Sequence, residues 1–130
     1  MKRLNAVVGV SVVGVTLPYL ARIPGCGVKG WGWLLQYVEP GLLWALFLGG
    51  FNLVAVGAAA GATVLFGKRH LWLLPVLAGY GFLFYAHGSL DLASDAQAPI
   101  AVVFIPIYSL FFFVVGGVVA VVARLGLDPE

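Results

Sequence analysis

The sequence predicts an all-α integral membrane protein, a four-transmembrane-helix bundle with a short interfacial segment in the first loop. Two observations carry this. Four long apolar runs occupy most of the 130 residues, and nearly every charge lies in the gaps between them. Hydrophobic residues make up 62% of the chain and charged residues 9%, against about 25% charged in a typical soluble domain. In water such a chain would expose large apolar patches. It reads as a single domain, residues 1–130, with helices near 4–20, 41–66, 71–93 and 95–123.

The first run follows Lys2 and Arg3. At 1.5 Å per residue it covers roughly 25 Å, a little less than a hydrocarbon core of about 30 Å. The two basic side chains can snorkel to the headgroups and make up the difference. The same start resembles the basic and apolar regions of a signal peptide, and Ile23-Pro24-Gly25-Cys26 resembles a loose lipoprotein cleavage box. Arg22 and Pro24 interrupt that box, so the segment is expected to stay as a helix.

The loop over 21–40 mixes glycines with Trp31, Trp33 and Tyr37, aromatic residues suited to the membrane–water interface. A short interfacial helix is expected over 31–38, ending at Glu39-Pro40. Helix 2 begins at Pro40 or Gly41, where proline suits the first turn. Gly67-Lys68-Arg69-His70 forms a tight polar turn. Helix 3 follows from Leu71, with Pro75 near its start, where proline does least harm. Ser94-Asp95-Ala96-Gln97 has the capping-box spacing and marks the start of helix 4. Pro106 within that helix removes an amide and predicts a kink near Val102.

The basic residues give direction. Lys2, Arg3, Lys68, Arg69 and Arg124 fall on one side, and only Arg22 and Lys29 on the other. The positive-inside rule then places both termini in the cytoplasm, in a bacterial-type inner membrane. A net charge of +2 is too small to argue for nucleic acid. Cys26 is the only cysteine, so neither an intrachain disulfide nor a thiolate cluster is available.

Three groups of residues are candidates for function. Gly57 and Gly61, four apart, leave a flat strip on helix 2, and Gly116 and Ala120 repeat it more mildly on helix 4. Such strips serve packing within the bundle or contact with a second copy or another membrane protein. The simpler expectation is packing within the bundle. Asn52 lies near the membrane midplane and needs a partner, with Ser11, Tyr80, Tyr108 and Ser109 at suitable depth.

The third group is a stripe on helix 3. Tyr80, Phe84, His87 and Asp91 are spaced by four, three and four, which puts them on one helical face, and Asp95 continues it if the helix persists. A carboxylate beside His87 would favour a charged imidazole. The stripe is either a set of interfacial and capping residues or a proton or cation path. One histidine with carboxylates, Glu39 included, is a thin basis for a metal site.

No phosphate loop, cysteine cluster or paired histidine motif is present. The expected function is therefore a small accessory or interaction protein without catalytic chemistry or cofactor, held in the lipid bilayer and packing with itself or a partner. A small channel or transporter along helix 3 is the alternative, and a membrane-embedded enzyme the third.

Overall fold

The computed structural model describes residues 2–94 and 96–127, and every regular element in it is helical. Six helices follow in order: α1 Lys2–Leu20, α2 Ile23–Lys29, α3 Gly32–Val38, α4 Leu42–Leu65, α5 Leu73–Ser89 and α6 Ala98–Leu127. Three stretches are long and apolar enough to cross a membrane: Lys2–Lys29, Leu42–Leu65 and Ala98–Leu127. They make the chain an integral membrane protein. α5 is shorter, at 17 residues, or about 26 Å of helix.

The helices bury small and apolar residues against one another. α5 lies along α6, α1 along α4, and α4 and α1 also touch α6 and α5 respectively. Between them sit Ala55, Ala59, Leu83 and Phe113, with Tyr80 edge-on to Phe113. At Gly116, α6 packs directly against the α5 backbone. A β-carbon there would lie 2.5 Å from the Pro75 α-carbon and 2.8 Å from the Leu74 carbonyl oxygen. Large apolar side chains such as Leu43, Leu77 and Phe111 point outward, as a lipid solvent allows and water does not.

The α4–α5 turn is tight, as its residues predict. A 3-10 turn covers Lys68–His70, and the Trp72 amide donates to the Phe66 carbonyl at 3.1 Å. Arg69 and His70 take positive φ values of 54° and 57°. Left-handed backbone costs a residue with a β-carbon about 1–2 kcal/mol, so the surrounding helices impose this turn.

α5, α6 and the first loop differ from the sequence expectation. α5 stops at Ser89, because Leu90 is extended at φ −74° and ψ 121°. Asp91 is therefore off the helix. α6 starts at Ala98, not at residue 95. The Ser94 hydroxyl donates to the Asp91 carbonyl at 2.8 Å, so Ser94 closes a turn and does not cap α6. Asp95 lies outside the described residues. The first loop holds two short helices, α2 as well as the expected α3. α6 remains one helix through Pro106, and the disturbance expected near Val102 does not interrupt it.

Candidate functional site

At the α1–α2 junction lies a concentrated polar group, and Arg22 is its centre. Its side chain is fully buried, at 0% exposure. A guanidinium carries five donors in a fixed fork, and this one uses them on acceptors that nearby helix ends supply. Nε and Nη2 donate to the Trp33 carbonyl at 2.9 and 2.7 Å. Nη1 donates to the His87 carbonyl at 3.0 Å and also to the Leu90 carbonyl. Nη2 reaches Gln36 Oε1 at 2.7 Å.

At the α5 side the geometry explains why the His87 carbonyl is free, whereas the Trp33 carbonyl lies in the first turn of α3. α5 ends at Ser89, and the last carbonyls of a helix have no amide partner within it. A cation there also meets the negative end of the helix dipole. Gly88 permits the approach, since a β-carbon on it would stand 2.8 Å from the Ala21 carbonyl oxygen.

Aromatic rings enclose the cation. The Arg22 guanidinium carbon lies 3.9 Å from the Trp33 ring centre and 4.3 Å from that of Tyr37, within cation–π range. Lys29 Nζ is 3.7 Å from the same Trp33 ring. Tyr37 is edge-on to Tyr19, Trp44 and His87. Its hydroxyl and His87 Nδ1 share a hydrogen bond of 2.8 Å, and burial pushes the Tyr37 phenol above its ordinary range.

The countercharge arrives through an amide. Gln36 Nε2 donates to Asp91 Oδ1 at 2.9 Å, while Gln36 Oε1 accepts from Arg22 and from the Leu92 amide at 3.1 Å. Gln36 thus links the guanidinium to the carboxylate. Asp91 Oδ1 also accepts from the Ala93 amide at 3.0 Å. The Gln36 hydrogen bond, then that of Ala93, hold the Asp91 carboxyl below its usual range.

This arrangement changes the reading of the helix 3 stripe. Tyr80, Leu83 and His87 are buried, whereas Phe84 is 42% exposed. The predicted residues therefore do not share one buried face. His87 is paired with Tyr37 and not with Asp91, and the cation nearest its backbone is Arg22. Among the described residues no three His, Cys, Asp or Glu side chains gather where they could hold a metal ion, and Glu39 does not join His87.

Asn52 finds a partner that the sequence reading did not name. Its side-chain amide donates to the Gly14 carbonyl on α1. That carbonyl would ordinarily accept from the amide of residue 18, but residue 18 is proline. Pro18 thus leaves an acceptor without its helical donor at membrane depth, and Asn52 supplies one. Tyr80 also braces α1 one turn earlier, donating at 2.6 Å to the Val10 carbonyl, an acceptor whose helical donor, the Gly14 amide, is intact. The absence of a side chain at Gly14 admits the Tyr80 hydroxyl, which a β-carbon would overlap. The other expected partners are elsewhere: Ser11 bonds to Val7 and Ser109 to Pro106 on their own helices, and Tyr108 is exposed.

The coupling of Asn52 to Pro18 is open to measurement. Asn52→Leu should lower the unfolding free energy by about 1 kcal/mol, the scale of an interhelical hydrogen bond in a membrane. In a Pro18→Ala background the backbone regains its own donor, and the same substitution should cost distinctly less. Unfolding titrations with sodium dodecyl sulfate would compare them. Equal costs in both backgrounds would mean the two residues do not serve one carbonyl.

The small-residue candidates divide. Gly116 and Ala120 are buried on α6, Gly116 directly against the α5 backbone. Gly57 is exposed, and Gly61 is half-buried where it lines a hollow with Pro75 and Phe113, so neither is in close contact there. A β-carbon on either would meet nothing within 4 Å, and the inward face of α4 is built instead from Asn52, Ala55, Val56, Ala59 and Ala62. Comparison of the chain with protein-family models, with curated proteins and with solved structures yields no match.

Proposed function

We propose that this is a non-catalytic, membrane-embedded interaction protein that associates with a second copy of itself through the outward face of α4. α5 acts as a fourth, short crossing, giving a four-helix transmembrane bundle. One observation carries the reading. Gly57 and Gly61 lie on a helix face whose neighbours are large and exposed, including Leu46, Leu53 and Val64, yet among the described residues a β-carbon on either would meet nothing within 4 Å. Glycine in a helix interior costs about 1 kcal/mol relative to alanine. A close backbone-to-backbone crossing from outside the chain gives that smallness a use. The polar groups support the same view, because Arg22, Gln36, Asn52 and Tyr80 are engaged in bracing helices. In this reading the end bearing Arg3, Lys68 and Arg124 faces the cytoplasm, as the excess of basic residues there favours.

Single cysteines in a Cys26→Ser background test association and direction together. Gly57→Cys should form an oxidative crosslink between copies in native membranes, and Gly61→Leu should abolish it. Lys68→Cys should react with an impermeant maleimide only after the cells are opened. An uncrosslinked chain that runs as a monomer in mild detergent would overturn the self-association. Labelling of position 68 in intact cells would reverse the orientation.

A further inference from the structure

The end of the bundle opposite Arg22 carries a second polar feature that the association reading does not use. A cavity of about 350 Å³ opens there, lined by Arg3 from α1, Phe66, Lys68, Arg69 and Leu71 from the α4–α5 turn, and Arg124 from α6. Three separate chain segments thus deliver basic side chains to one hollow. No carboxylate lines it among the described residues. Arg69 is engaged with the Leu127 carbonyl at 3.0 Å. Arg3 lies over Gly67, its Nε 3.4 Å from where a β-carbon on that glycine would be.

We propose that this cavity binds the phosphate headgroup of an anionic phospholipid. The chemistry of the lining specifies an anion, and an arginine fork suits phosphate oxygens. The surroundings specify a lipid. The cavity sits at the end of three apolar spans, and its wall includes Val64 and Leu65, 58% and 73% exposed. A headgroup among the cations would lay its acyl chains along that apolar edge. The left-handed backbone at Arg69 and His70 folds the turn back so that Lys68 and Arg69 stand beside Arg3 and Arg124, and the site depends on this fold and not on basic charge alone.

The test uses the whole protein, stripped of lipid in detergent and then offered phosphatidylglycerol, phosphatidylcholine or inorganic phosphate, with retention read by native mass spectrometry. The wild type should retain phosphatidylglycerol over phosphatidylcholine, and millimolar inorganic phosphate should not displace it. The triple variant Arg3→Gln, Lys68→Gln, Arg124→Gln should bind on the order of 100-fold more weakly, at about a factor of five per basic residue. Lys2→Gln, which removes a neighbouring charge that does not line the cavity, should bind as the wild type. The charge-conserving variant Arg3→Lys, Lys68→Arg, Arg124→Lys should retain the lipid, which separates loss of charge from loss of fold. An equal loss in Lys2→Gln would reduce the effect to general surface charge and overturn the site. Binding of inorganic phosphate without retention of phosphatidylglycerol would overturn the lipid as its ligand.

Discussion

Arg22→Ala is expected to destabilise the protein by roughly 3–5 kcal/mol, the largest loss available to a single polar substitution here. The arginine supplies donors to the carbonyls of Trp33, His87 and Leu90 and to Gln36. Each buried acceptor left without a donor costs about 1–3 kcal/mol, and breaking a buried charged group's contacts falls in the same total range. Some of that returns as water enters from the loop side, which sets the lower bound. Arg22→Lys should recover little, because a compact ammonium with three donors cannot span acceptors on α3 and beyond the end of α5. Arg22→Met, which keeps the stem and removes the fork, isolates the hydrogen bonds. Dodecyl sulfate unfolding followed by tryptophan fluorescence would measure all three. A methionine variant within about 0.5 kcal/mol of the wild type would mean the network carries no stability.

Gly116→Leu should be comparably damaging for a different reason. Its β-carbon would overlap the Pro75 α-carbon and the Leu74 carbonyl, which are backbone atoms that no rotamer change can move. α5 and α6 must separate, and overpacking of this kind costs about 1–3 kcal/mol even for small additions. Gly116→Ala should already fall in that range, and the leucine should exceed it or prevent assembly. Gly57→Ala provides the contrast. That position is open, so alanine should be neutral or stabilise the monomer by up to about 1 kcal/mol through helix propensity. Equal effects at 57 and 116 would contradict the packing described.

What could be read from the sequence follows from how local the physics is. The apolar runs, the turn at Gly67-Lys68-Arg69-His70 and the short helix near Trp33 depend on neighbouring residues, and all three are present. The end of α5 is not legible, because Ala86 to Ala93 is compatible with helix throughout. What stops it is Leu90 in an extended conformation, beside a carbonyl that Arg22 takes from another part of the chain.

In the sequence Arg22 is a loop charge that counts only for orientation. Its acceptors are backbone carbonyls, which have no signature in residue type. The nearest available signal was an arginine followed closely by Trp33, Gln36 and Tyr37, a set able to stack on and bond a guanidinium. Asn52 was rightly singled out as needing a partner, but that partner is a carbonyl released by Pro18. The clue was a proline inside an apolar helix, and its consequence lies four residues away on the backbone. Gly57 and Gly61 looked alike with Gly116 because spacing identifies a strip and not the direction it faces.

The acceptors of Arg22 also impose an order on assembly. Asn52 and Gly14 lie on α4 and α1, so that bond can form as soon as the first hairpin has entered the membrane. The carbonyls of His87 and Leu90 and the carboxylate of Asp91 emerge from the ribosome much later. Until then the guanidinium has only α3 to hold and stays hydrated at the membrane surface. Its burial is thus a late step, completed when the end of α5 arrives. That end of the first hairpin stays open until the short helix α5 supplies the last acceptors of the arginine.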